Sequence, residues 1–294
     1  MPAMAPQLAT RLGLGDVAAW DVNAACSGFL YRLATASGAL LAHCADRVLL
    51  VAADVYSTLL DPDDRSAGIV FGDGAGAVVL HRGRSGEPGS VLAFDLGSDG
   101  SGDELIEVRG GGARERSAPD DFGPGDRHFR MRGREVFQHA VTRMTQSSQA
   151  VLKHAGWSPD DVDRFCAHQA NARIVTAVGE RVPVPGPRRV TNIDRVGNTG
   201  AAPIPIALAD AASNSSPPSP HDPFTVSTRP GRTYQPCPRS RVSSPPCSPR
   251  SSRSPPRASC RTPRSNEEHE TAKRTTVGAL VAVLHSKRSE RDAL

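Results

Sequence analysis

The residues of this sequence best suited to chemistry are one cysteine, one histidine and one asparagine, far apart along the chain. Cys26 lies in "DVNAACSGFLYRLA", between a short extended run and an apolar helical run. A helix start offers free N–H groups and a partial positive charge, which stabilise a thiolate. Small residues on both sides (Ala24, Ala25, Ser27, Gly28) leave room for a carbonyl group to approach. Against this, free cysteines are commonly buried fillers, and Cys44 and Cys166 read that way. His168 stands in "CAHQAN", at a strand end before a helix, where a satisfied core histidine is the ordinary occupant. Asn198 stands in "GNTG", where asparagine is ordinarily turn chemistry. Each signal is weak alone. Together, a cysteine with a later histidine and asparagine suggests acyl transfer through a thioester.

These three residues need elements to hold them. "VAAWDVNA" and "RVLLVAAD" have the composition of strands buried on both faces. "FLYRLATASGALLAHCA" is apolar almost all round and predicts a buried helix. "GIVFGDGAGAVVLHR" reads as extended runs with glycines where the backbone packs closely, and "GSVLAFDLGSDG" as a further strand and turn. Residues 101–130 are polar, without period, and read as a long loop. A helical stripe through Val136, Ala140, Met144 and Val151 predicts a helix over 131–155, stopped by Gly156. Ser158 and Pro159 open a further helix, "RFCAHQA" is a short strand, "NARIVTAVGERV" a helix, and a last helix follows "GNTG". Strands alternate with helices throughout, which predicts an α/β layered fold.

Four stretches carry a resemblance: "DVNAACSGF", "DRSAGIVFGDGAGAVVL", "HQANARI" and "DRVGNTGAAPIPIALADA". In this order they resemble the β-ketoacyl-acyl carrier protein synthase III family of the thiolase-like superfamily, over about residues 5–212. "HQAN" followed by "GNT" separates this pattern from thiolases and from elongating synthases. The resemblance implies a thiolase-like α/β fold and decarboxylative Claisen condensation of an acyl-CoA with malonyl-acyl carrier protein, as in fatty acid or polyketide initiation. It implies Cys26 as the acyl-accepting nucleophile. His168 and Asn198 match the pair that holds the malonyl thioester carbonyl, where two donors would stabilise the enolate left by decarboxylation. Arg65 matches a residue near the CoA nucleotide, and Asn171 a contact to the pantetheine arm. Arg173 matches part of the basic patch that receives the acidic carrier protein; Arg132, Arg134 and Arg181 would extend it. No metal and no cofactor is implied, and the intact family is expected to be homodimeric. On the same fold, relatives transfer the acyl group to an alcohol or amine, and a third reading is an inactive fragment or structural partner of a complete synthase.

Composition divides the chain near residue 212. The overall charge of +4 averages two unlike parts. Residues 1–212 hold 21 Lys+Arg and 25 Asp+Glu, a net of −4; residues 213–294 hold 14 and 6, a net of +8. The basic balance therefore belongs to the tail. With one Tyr and one Phe there for stacking, specific nucleic-acid binding is not expected. Cysteine spacing gives no zinc pattern and fits a reduced compartment. The N-terminus lacks a signal-peptide layout and no run is long enough to span a bilayer, so a cytoplasmic protein is expected. From Pro236 to Ser265 every residue but Val242 is Pro, Ser, Arg, Cys, Ala or Thr, the set produced when a GC-rich gene is read one base out of register. Residues 213–294 are thus expected to be a disordered basic tail, or frameshifted. The family pattern also has a half-domain ahead of the matching region. After the last helix it has a glycine-rich strand pair, one N–H of which completes the oxyanion hole. Neither has a counterpart here, so the fold is expected to be incomplete and condensing activity low.

Overall fold

The computed structural model of the protein describes residues 3–83, 89–214 and 281–284. Its helices are α1 (Met4–Arg11), α2 (Gly28–Leu41), α3 (Arg65–Gly68), α4 (Ala113–Ser117), α5 (Gly133–Ala155), α6 (Ala172–Arg181), α7 (Ile193–Val196) and α8 (Pro203–Asn214). Its strands are β1 (Arg47–Asp54), β2 (Gly74–His81), β3 (Ile106–Glu107), β4 (Arg130–Met131), β5 (Arg164–Ala167) and β6 (Val281–Leu284).

The longer helices form where the apolar spacing predicts them. Gly156 ends α5 in the left-handed conformation, with φ of 71°. Asn171 starts α6 by accepting the Arg173 N–H on Oδ1 at 2.9 Å. Ser158 caps as expected, paired with Asp161, but the two hold only a single 3₁₀ turn, Pro159–Asp161.

The strands depart further from expectation. β1 and β2 pair antiparallel, from Arg47↔His81 to Asp54↔Gly74. Burial alternates along β2, so this sheet is covered on one face only and exposes the Leu49↔Val79 pair on the other. Neither 17–24 nor 89–99 belongs to a strand, although both have strand composition. Composition favours a pleated surface but cannot supply the ladder partner that makes one. The segment 101–130, expected as a loop, contains α4, several 3₁₀ turns and β3, which pairs with β4.

β5 sits between the two cores. Its Cys166 joins Phe29, Leu30, Leu50, Ala52 and Ile204 in the core of α2, β1 and α8. Its Phe165 and Ala167 face the other way, into Val141, Met144, Ile174 and Val178 of α5 and α6. The edge of β5 is paired antiparallel by β6, from Arg164↔Leu284 to Ala167↔Val281. "VAVL" is a run of good strand formers, and an open edge is a ready template for one. α8 likewise runs past residue 212 to Asn214. The remainder of the expected tail, 215–280 and 285–294, lies outside the described residues.

Close backbone approach lets α8 dock on β2. A Cβ on Gly76 would stand 2.9 Å from the Pro205 side chain, and one on Gly74 would stand 2.7 Å from Thr199 Cγ2. The "GDGAGA" glycines therefore seat α8, and the turn before it, against the sheet. Among the described residues no helix is long and apolar enough to cross a membrane.

Candidate active site

The site begins with a strained turn. Asn23 Oδ1 accepts the Ala25 N–H at 3.1 Å. Ala25 takes φ of 43°, a left-handed conformation that costs an L-residue about 1 kcal/mol. The chain thus bends just before Cys26, which sits in the 3₁₀ turn Ala25–Ser27 leading into α2. Gly28 then rests against Ala201, where a Cβ would lie 2.9 Å from the alanine methyl.

Cys26 is partly buried. Burial pushes its thiol up to about 11; the Asp54 carboxylate adds to the rise, and a hydrogen bond from Tyr56 opposes it. Burial here works against the thiolate that a helix start favours. Cys166 is pushed up to about 12 by burial, whereas Cys44 is exposed. Simple alkylation therefore favours Cys44 on access.

The turn before α8 brings Asn198 to the same place. Asn198 N–H donates to the Val70 carbonyl at 2.8 Å, and its own carbonyl accepts the Gly72 N–H at 3.0 Å. Its Oδ1 accepts the Gly200 N–H at 3.1 Å, so the carboxamide N–H₂ is what this side chain has to offer. Ala201 N–H donates to Asp54 Oδ2 at 2.6 Å, tying the turn to the end of β1. Gly200 has φ of 65°, and a Cβ there would meet Asp54 Oδ2 at 2.5 Å and Tyr56 Cε2 at 2.7 Å. Cys26 and Asn198 thus share one neighbourhood, built around Tyr56, Asp54 and Gly200.

His168 lies just past β5 and is 4% exposed. Gln169 fixes the chain there: its Nε2 donates to the Ala167 carbonyl at 2.7 Å, and its Oε1 accepts the Asn192 N–H at 3.4 Å. β5 is joined to α8 by the Cys166 thiol, which donates to the Ile204 carbonyl at 3.8 Å. α8 and its preceding turn therefore meet β5 as well as the Gly28 side of the Cys26 turn. Neither ring nitrogen of His168 has a partner among the described residues. Burial lowers its pKa to about 4, so the ring is neutral near pH 7 and carries one N–H donor.

That burial has a consequence for stability. Below about 6.5 the unfolded histidine takes a proton that the folded one refuses until about pH 4. Stability is expected to fall by roughly 3 kcal/mol as pH drops through that window, in addition to any carboxylate effect. Urea unfolding of the parent chain and of His168→Gln at several pH values checks this. The variant should show the shallower slope, and equal slopes would contradict the buried neutral ring.

The other expected site residues lie elsewhere. Arg65 is exposed at the start of α3. Asn171 spends its Oδ1 on the α6 cap. Arg173 and Arg181 are exposed at the two ends of α6, and Arg132 and Arg134 are exposed at the start of α5, which packs on α6. Arg132 pairs with Glu104 at 2.8 Å and lines a 410 Å³ cleft with Asp103, Glu135 and His139. Its charge is thus partly offset. Sequence reasoning missed Tyr56, Asp54 and Gln169, because their roles come from residues distant in the chain. Among the described residues no group of His, Cys, Asp and Glu could hold a metal.

Two models of one family match the chain: 3-oxoacyl-[acyl-carrier-protein] synthase III over residues 20–100, and the C-terminal part of the same synthase over 152–228. The chain belongs to the 3-oxoacyl-[acyl-carrier-protein] synthase III family. Among synthase III relatives, it is 53% identical over 210 residues to β-ketoacyl-[acyl-carrier-protein] synthase III 5 of Streptomyces coelicolor, covering 71% of this chain and 63% of that protein. It is 48% identical over 208 residues to the synthase III of Pseudomonas aeruginosa, covering 71% and 62%. The crystal structure of the synthase III from Pseudomonas aeruginosa PAO1 superposes with a TM-score of 0.66 at 45% identity, covering 72% and 63%. The priming β-ketosynthase of the R1128 polyketide pathway superposes with a TM-score of 0.65 at 30% identity, covering 73% and 63%. The chain therefore has the thiolase-like fold of the synthase III family and spans a little under two thirds of the length of these relatives. The second family match extends past residue 212, to 228.

Proposed function

We propose that this protein is an acyltransferase that joins an acyl-CoA to malonyl-acyl carrier protein by decarboxylative condensation, starting a fatty acid or polyketide chain. The observation that carries this reading is His168: a buried neutral imidazole with both nitrogens unpartnered. An orphaned buried donor costs about 1–3 kcal/mol, which a ligand oxygen would recover. In the first half-reaction Cys26 Sγ, as thiolate, attacks the acyl-CoA carbonyl; the S–C bond to CoA breaks, and the CoA thiolate takes up the proton that Cys26 lost. In the second, the malonyl C–C bond breaks and releases carbon dioxide. The electron pair forms an enolate, whose oxygen accepts from the His168 N–H and the Asn198 N–H₂. The enolate carbon then attacks acyl-Cys26, forming the new C–C bond and freeing the thiolate.

In this reading Arg65 and the free end of the Asn171 amide face the CoA or pantetheine arm. Arg173, with Arg132, Arg134 and Arg181, meets the carrier protein. A homodimer in the cytoplasm is the setting we infer, and none of these steps calls on a cofactor. The test is incubation with acyl-CoA and malonyl-acyl carrier protein. Carbon dioxide release with a 3-oxoacyl product supports condensation. Acyl transfer to an added alcohol or amine without carbon dioxide release would replace it.

A further inference from the structure

Gln169 follows His168 directly and is fully buried, yet the steps above give it nothing to do. A buried amide is kept only where hydrogen bonds offset its desolvation, and here those bonds join two chain segments. The stretch 189–192 runs beside β5: Phe165 bridges Arg189 in parallel, and the Val190 N–H donates to the Phe165 carbonyl at 2.9 Å. The Gln169 side chain carries that contact on beyond the strand. Its Nε2 donates to the Ala167 carbonyl at 2.7 Å and to the Val190 carbonyl at 3.3 Å. Its Oε1 accepts the Asn192 N–H at 3.4 Å. Asn192, 1% exposed, stands just before α7 and passes the constraint to α8: its Nδ2 donates to Asp210 Oδ2 at 2.7 Å. Arg195, within α7, donates to the same oxygen at 2.6 Å. Asn198 lies two residues beyond the end of α7. One run of polar side chains thus ties the end of β5, which carries His168, to both ends of the segment that leads into and out of the Asn198 turn.

We propose that Gln169 is a positioning residue of this site, setting His168 against Asn198 through Asn192 and Asp210. The need is geometric. Two donors serve one enolate oxygen only if both stand about 3 Å from the place it takes. The two donors come from separate segments, and neither ring nitrogen of His168 has a protein partner to hold it among the described residues. The backbone that carries the ring must therefore be held by its neighbour. A displacement of about 1 Å at a reacting centre costs on the order of 10²-fold in rate. The role in catalysis rests on the condensation proposed above; the coupling of the two segments does not.

The test reads His168 and the reaction separately, on the full chain. Histidine rings are labelled with nitrogen-15, and the His168 resonance is assigned as the one lost in His168→Gln. Gln169→Met keeps nearly the length and volume of the side chain and removes its three hydrogen bonds. It should move the His168 resonance by more than its linewidth. Malonyl decarboxylation should fall about 10²-fold, while acyl loading of Cys26 stays within about threefold of the parent. Asp210→Ala, at the far end of the run, should move the same resonance and lower decarboxylation about tenfold. A part in stability alone would leave the resonance and the rate of a folded variant where the parent has them. A Gln169→Met chain of unchanged near-ultraviolet circular dichroism, with either the resonance unmoved or decarboxylation undiminished, would overturn the proposal. If that variant misfolds, an unmoved resonance in Asp210→Ala would overturn it equally. A parent chain that neither loads nor decarboxylates would instead remove the proposed function, and the His168 resonance would still decide the coupling.

Discussion

Cys26→Ala is expected to abolish covalent capture of an acyl group from acyl-CoA, a loss of at least about 10³-fold in loading rate. The alanine leaves the strained turn at Ala25 and the Gly28–Ala201 contact in place, so the fold should persist. Cys44 and Cys166 cannot substitute: the one is exposed and remote from the Asn198 turn, the other a fully buried core residue bonded to Ile204. The same variant should retain release of carbon dioxide from malonyl-acyl carrier protein to within about tenfold, because that step draws its stabilisation from other donors. Radiolabelled acyl-CoA and malonyl substrates, assayed separately, measure both. Full acyl loading in Cys26→Ala would remove the nucleophile assignment.

The complementary pair of variants should divide the reaction the other way. His168→Ala and Asn198→Ala are each expected to lower malonyl decarboxylation about 10²–10³-fold, the usual effect of deleting one donor to a developing oxyanion. Acyl loading of Cys26 should stay within about threefold of the parent. The reason lies in how the donors are held. His168 is neutral, buried and without a protein partner, and Asn198 has its oxygen occupied by Gly200, leaving its N–H₂. The groups that act electrostatically on the Cys26 thiol are Tyr56 and Asp54, not these two residues. Equal losses in both half-reactions would mean that these residues support the site generally and do not serve the enolate.

How much of this was legible in the sequence depends on the range of the interaction. Helices α2, α5 and α6 follow from local periodicity and from stops such as Gly156 and the Asn171 cap. The strand-like run 17–24 was misread because a ladder partner is not a local property. The one-sided burial of β1 and β2 was missed for the same reason: it depends on which faces α2 and α8 cover. Cys26, His168 and Asn198 were visible because each sits at a strand-to-helix or turn-to-helix junction with small or glycine neighbours. Their electrostatics were not visible. The helix start suggested a lowered thiol pKa, whereas burial and Asp54, twenty-eight positions on, raise it. Tyr56 carried no signal in its own stretch, "DVYSTLLD", and joins the site only when Phe71 and Gly200 close round it.

The central claim is that Cys26 carries the acyl group. The direct measurement is brief incubation of the chain with an acyl-CoA, acid quench to protect the thioester, and peptide mass mapping. The account predicts one acyl group on the peptide containing Cys26, removable by neutral hydroxylamine, with the peptides of Cys44 and Cys166 unmodified. An acyl group found on Cys44 or Cys166, with the Cys26 peptide unmodified, would contradict it.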